Sequence, residues 1–167
     1  MFKINLSCEH TLASDINKLL QEEQSVFSSI VITTENENKS HGSGIIGTLP
    51  KAVKPLEFLK LLKEKMNTAC IRHTALTSKE INTVAVCGGS GSFLLPKAIA
   101  AGADIYITAD FKYHEFFDAD DKIIIADIGH YESEQYTIQL LFEIIKNKFS
   151  NFAVRLTKVN TNPLNYL

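Results

Sequence analysis

Apolar residues along this chain keep two rhythms. In the second half, short continuous apolar runs alternate with segments whose apolar positions recur every three or four residues. "INTVAVC", "ADIYITA" and "KIIIADI" are runs of the first kind. Their length and Val/Ile content predict strands buried on both faces. Between and after them, "SFLLPKAIAAG" and "YESEQYTIQLLFEIIKNKF" read as helices, and "KYHEFFDA" as a short helical segment. "FAVRLTKV" reads as a last strand. Strands are expected near residues 82–87, 104–109, 123–128 and 152–159. On the long helix, the stripe through His130 and Glu134 continues to Leu141 and Ile145, which places those two in the core.

The first half follows the same logic. "FKINL", "TLASDINKLLQEE" and "SVFSSIVITTE" form a β-α-β pattern, with Leu12, Ile16, Leu19 and Leu20 at helical spacing. "NENKSHGSG" is polar, Gly-rich and without periodicity, which marks a boundary. "IIGTL" is a short strand and "CIRHTAL" another. Between them "PLEFLKLLKEKM" is a helix with Pro55 in its first turn, and Phe58, Leu59, Leu62 and Met66 share one face. The expected division is a β-α-β unit over residues 1–36, a linker over 37–44 and an α/β lobe over 45–167. The lobe should be layered, with a mainly parallel sheet and helices on both faces.

Composition narrows the function. The chain has 167 residues, of which 45% are hydrophobic, enough for a core. The net charge of −2 and the lack of a basic block argue against direct nucleic-acid binding. There is no apolar run of membrane-spanning length and no signal-peptide pattern at the N-terminus. Cys8, Cys70 and Cys87 are few and scattered, so they read as small buried apolar residues rather than a disulfide framework. A reducing, cytoplasmic setting is the expectation.

Three stretches carry candidate chemistry. Each begins where a strand is expected to end, the edge at which open α/β sheets place their sites. In "CGGSG", Gly89, Ser90 and Gly91 could turn backbone N–H groups toward a phosphate, or could simply make a tight turn. The P-loop Lys is missing, as is the third glycine of a dinucleotide fingerprint. In "TADFKYHE", Asp110 is either a helix N-cap or a substrate contact. His114 is either a surface histidine or a proton carrier. In "GHYESE", His130 and Glu134 stand four residues apart on one helix face, a spacing that suits a divalent cation, a cap or an i,i+4 hydrogen bond. A helix N-terminus disfavours a cation, so a metal there needs further ligands. His10, His41 and His73 lie on other elements, and Asp127 lies within a buried strand.

Taken together, "VAVCGGSGS", "ADIYITADFKYHE", "ADIGHYESE" and the terminal "NTNPLNYL" resemble the C-terminal half of one family. It is the dinuclear-metal family of GTP cyclohydrolase I type 2 homologues, first named for an Ngg-interacting factor. "GSGIIGTL" is similar to the family's re-entry after an inserted domain, and residues 1–36 resemble the second half of that PII-like, ferredoxin-like insert. The resemblance implies two divalent metals in a cleft, with His130 and Glu134 supplying the C-terminal ligands. The sequence does not distinguish zinc, iron, manganese or magnesium. A His-His pair and an Asp would come from an N-terminal half that this chain does not match, so the chain resembles the C-terminal portion of a longer protein and should hold metal weakly by itself. The implied activity is metal-dependent hydrolysis of a nucleotide-like substrate such as GTP. The alternative is a ring-shaped, non-catalytic metal-binding scaffold. The implied partner is the chain itself, as a hexameric ring in the complete protein. The β-α-β unit should show an apolar face covered by another copy.

Overall fold

The structure is a computed structural model and describes residues 42–77 and 79–167. The β-α-β unit expected over residues 1–36 lies outside the described residues. Five strands form one sheet in the order β1-β3-β4-β5-β2. They are β1 (Ile45–Val53), β2 (Arg72–His73), β3 (Ile81–Ser90), β4 (Ile105–Ala109) and β5 (Ile124–Asp127). The helices are α1 (Pro55–Lys65), α2 (Leu95–Ala100), α3 (His130–Glu134) and α4 (Thr137–Lys148), with 3-10 turns at Ser92–Leu94 and Tyr113–Ala119.

The middle of the sheet is parallel: β3 pairs with β4, and β4 with β5. Both edges are antiparallel, β1 on β3 and β2 on β5. The parallel strands are the apolar runs read from sequence, and alternate side chains enter two separate cores. On one face, Phe58, Leu59 and Leu62 of α1 cover Ile105, Ile107, Ile124 and Ala126. On the other, Leu95 and Ala98 of α2 join Ala85, Cys87, Tyr106 and Ile125. The mixed α/β fold with helices on both faces is therefore present, with its parallel order confined to the three central strands. Pro55 occupies the first turn of α1 as its fixed φ favours.

Four expectations need correction. No strand forms at 152–159, and residues 151–167 contain no helix or strand. The alternating apolar pattern there specifies one apolar face but supplies no ladder partner. The long helix is two helices, broken at Gln135 and Tyr136. Both side chains turn to the end of α1: Gln135 Nε2 donates to the Met66 carbonyl (2.8 Å), and the Tyr136 hydroxyl to that of Lys65 (2.8 Å). They satisfy carbonyls at a helix end that would otherwise lack partners. Leu141 and Ile145 are not core. Leu141 is 52% exposed and α4 buries no residue. Cys70 is exposed, because it lies in the loop before β2, while Cys87 is buried as expected.

The strand at "CIRHTAL" shrinks to the Arg72–His73 edge, and the one at "IIGTL" extends through Pro50 to Val53. Pro50 is tolerated because β1 is an edge strand, and the register shifts between Thr48 and Val53. No described helix is long and apolar enough to cross a membrane.

Ile125 is fully buried between β4 and the α2 side of the sheet. Ile125→Ala is expected to destabilise this unit by about 2–5 kcal/mol, read by urea denaturation. A loss below the cost of one methylene would show that this core is loosely packed.

Candidate functional site

The three parallel strands end side by side, and the register fixes who meets whom. Ser90 of β3 is paired with Ala109 of β4, and Thr108 of β4 with Asp127 of β5. The residues just past these ends are thereby gathered at one edge of the sheet. They are Gly91, Asp110 and the Ile128–His130 turn into α3.

Asp127 organises this edge. It is buried, and its carboxylate accepts the Phe111 N–H (3.0 Å) on one oxygen and the Gly129 N–H (3.0 Å) on the other. Arg72 of β2 pairs with the first oxygen and also donates to the Phe111 carbonyl (2.9 Å). The chain leaving β4 and the chain leaving β5 are thus tied to one side chain. Gly129 then turns into α3 at φ +93°, a conformation that favours glycine.

His130 opens α3 and lies between two carboxylates. Its Nδ1 is 2.6 Å from Asp110 Oδ2, and its Nε2 is 3.2 Å from Glu134 Oε2. All three side chains are about half exposed. The hydrogen bond to Asp110 is the main cause holding the His130 pKa above its ordinary value, opposed by partial burial and helped by the charges of Asp110 and Glu134. Asp110 itself has φ +59°, left-handed for a residue with a side chain.

The glycine turn packs against this pair. The Gly89 N–H donates to Ser133 Oγ (2.8 Å), whose hydroxyl donates to the His130 carbonyl (2.8 Å). A Cβ on Gly89 would lie 2.5 Å from Glu134 Oε1 and 3.3 Å from His130 Cε1, at φ +64°. Glycine is therefore required where β3 meets the site. At Gly91, a Cβ would run into Thr108, Tyr106 and Cys87, and its carbonyl accepts the Tyr106 hydroxyl (2.7 Å). The turn's glycines thus have packing reasons of their own, and the Gly89 N–H is already taken. Ser90 is exposed at the end of β3.

The sequence-derived candidates separate accordingly. His130, Glu134, Asp110 and Gly89 come together. Asp110 is not a helix N-cap, since Lys112 holds that place on the following 3-10 turn. His114 is exposed on that turn. Among the described residues, no hydrogen bond joins it to His130.

Sequence reasoning missed Asp127 as the organiser, although a carboxylate closing an apolar strand before a glycine is a visible signal. It also missed Glu132, which points away from the His130 face and is buried. One of its oxygens accepts from Asn162 Nδ2 (3.4 Å), and the other has no hydrogen-bond partner. Burial, and next the charge of Glu132, raise the pKa of the Tyr166 phenol. The "NTNPLNYL" tail therefore lies against α3.

A family model described as Duf34/NIF3 (NGG1p interacting factor 3) matches residues 4–163. This chain belongs to that family. A relative named GTP cyclohydrolase 1 type 2 homolog, from Staphylococcus epidermidis, is 34% identical over 149 residues, covering 86% of this chain and 40% of its own. The crystal structure of a Staphylococcus aureus hypothetical protein aligns at TM-score 0.65 and 26% identity, covering 74% of this chain and 43% of that one. A Bacillus cereus protein related to NIF3 aligns at TM-score 0.64 and 28% identity, covering 75% and 36%. The chain spans about two fifths of the length of the curated relatives it matches.

A divalent metal fits part of this donor set. His130 Nε2 and Glu134 Oε2 converge, and His130 Nδ1 is held by a carboxylate, as metal-binding histidines usually are. Among the described residues, no group of three or more His, Cys, Asp or Glu side chains is arranged to hold an ion.

Two outcomes follow. Asp127→Ala leaves the buried Phe111 N–H and the half-buried Gly129 N–H unpaired, while half-exposed Arg72 can turn to water. A loss of about 2–4 kcal/mol in urea denaturation is expected, and a loss under about 1 kcal/mol would dismiss Asp127 as organiser. The second concerns pH. A raised His130 pKa adds stability that is present below the ordinary value of 6.5 and is lost as pH rises through the raised one. In the metal-free chain, the His130 ring protons should titrate above 6.5 by NMR and fall back in Asp110→Asn. A midpoint unmoved by that substitution would show that Asp110 is not the cause.

Proposed function

We propose that this chain contributes the His130 and Glu134 wall of a divalent-metal site in a hydrolase acting on a small, nucleotide-like substrate. The observation that carries this is the convergence of His130 Nε2 and Glu134 Oε2 on one helix face, at the edge where all three parallel strands end. The relatives' name, GTP cyclohydrolase 1 type 2 homolog, supports the reaction class. Two divalent ions are the proposed complement of the complete site, with the remaining ligands from outside the described residues. When bound, such ions supply Lewis acidity and lower the pKa of water. His130 and Glu134 hold and orient. Gly89, by having no side chain, leaves room for the Glu134 carboxylate to stay beside the histidine ring. Ser90, exposed beside the turn, contributes to the substrate side of the cleft. His114 exchanges protons with solvent at its rim.

A scaffold role is the second reading. Ile138, Leu140, Leu141 and Ile144 are all substantially exposed on α4, and surfaces of that kind mark contacts with other protein. In this reading the chain assembles with copies of itself, as a hexameric ring in the complete protein, and holds metal without turnover.

The test is metal content by mass spectrometry, on this chain and on the longer Staphylococcus epidermidis relative. The chain alone should bind zinc or manganese weakly, because two protein ligands leave most of a four- to six-coordinate shell to water. The relative should bind stoichiometrically, and lose metal when the residue aligned with His130 or with Glu134 becomes alanine. Tight, stoichiometric metal in this chain would show that the site is complete here. Unchanged metal in those variants would remove His130 and Glu134 as ligands. Nucleotide turnover abolished by chelation separates the hydrolase from the scaffold.

A further inference from the structure

Asp110 holds a backbone conformation that costs free energy, and the structure pins it there from both sides. Ala109 before it is fully buried in the ladder with Ser90. Phe111 after it is buried, and its N–H is bound by Asp127. Left-handed φ at a residue with a Cβ persists only where the surroundings over-determine it. Asp is among the few residues that visit this region. No helix is capped by the Asp110 side chain, which instead meets His130 Nδ1 at 2.6 Å.

That single contact decides how the imidazole is presented. With Nδ1 bound to Asp110, Nε2 is the nitrogen left on the Glu134 side, 3.2 Å from Oε2. A ring turned over by half a rotation would set carbon atoms against both carboxylates. We propose that Asp110 is a positioning residue that selects Nε2 of His130 as the nitrogen offered to a divalent cation, together with Glu134. This rests on the reading that His130 and Glu134 bind such a cation. It goes beyond that reading by giving Asp110, read from sequence as a helix N-cap or a substrate contact, a place behind the histidine. The strained turn at Asp110 is the structural cost of aiming that ring.

The experiment uses the full chain and Co²⁺, a paramagnetic ion whose binding NMR detects even at millimolar dissociation constants. Long-range ¹H–¹⁵N correlations of the His130 ring report which nitrogen meets the ion. Wild type should show Co²⁺ at Nε2. Asp110→Gly suits the left-handed backbone, so it should melt at or above the wild-type temperature while binding Co²⁺ about 10–100-fold more weakly. It should also lose the preference for one nitrogen. Asp110→Asn, which keeps an acceptor but no charge, should fall between. A purely structural role for Asp110 would leave both affinity and nitrogen choice unchanged in Asp110→Gly, and that result overturns the proposal. Co²⁺ at Nδ1 in wild type overturns it too, since Asp110 would then be sharing the ion. Failure of the underlying reading looks different. In that case the His130 ring does not respond to Co²⁺ in wild type, or His130→Ala binds as wild type does.

Discussion

A buried carboxylate at the end of β5 accepts the backbone N–H of Phe111 and the backbone N–H of Gly129, and pairs with Arg72 from the edge strand. Through those bonds Asp127 sets where the chain goes after two neighbouring strands. Parallel strands deliver their C-terminal ends to one edge, but they do not say in which direction the next residues point. Asp127 settles that for both at once. Asp110 stands immediately before one of its partners and His130 immediately after the other. The 2.6 Å contact between them follows from that shared anchor.

Glycine sets the second constraint. α3 has only five residues and approaches the end of β3 closely. Close approach is possible because Gly89 has no side chain to collide with Glu134, and because Ser133 bonds to the Gly89 N–H. The same turn is braced from beneath, where Thr108 and Tyr106 donate to the carbonyls of Gly89 and Gly91. A stretch that reads in sequence as a possible anion cradle is, in the described residues, a packed joint between sheet and helix.

The fold was legible where burial alone determined structure. β3, β4 and β5 fall on the apolar runs because a strand covered on both faces has no polar positions to confuse the pattern. Helix α1 was legible from its apolar stripe and from Pro55. The pairing of His130 with Glu134 followed from helical spacing. What escaped depended on particular partners. The break after Glu134 is made by Gln135 and Tyr136 reaching carbonyls of α1, some 70 residues earlier in the chain. The period of the apolar residues cannot reveal that. The alternation over Phe152, Val154 and Leu156 has the signature of a strand, yet neither sheet edge takes it up. The place of Asp110 behind His130 depends on a left-handed backbone that nothing in the local sequence demands.

The break between α3 and α4 also divides the demands placed on this region. A continuous helix would carry any rotation or tilt of its distal end to His130. Here α3 is fixed at the sheet edge, and the joint is fastened to α1 by two side-chain bonds. Whatever surface α4 meets can therefore change its shape or its sequence without re-aiming the histidine. A change within α4 meets the joint at Gln135 and Tyr136 before it reaches α3, whose place is set at the sheet edge.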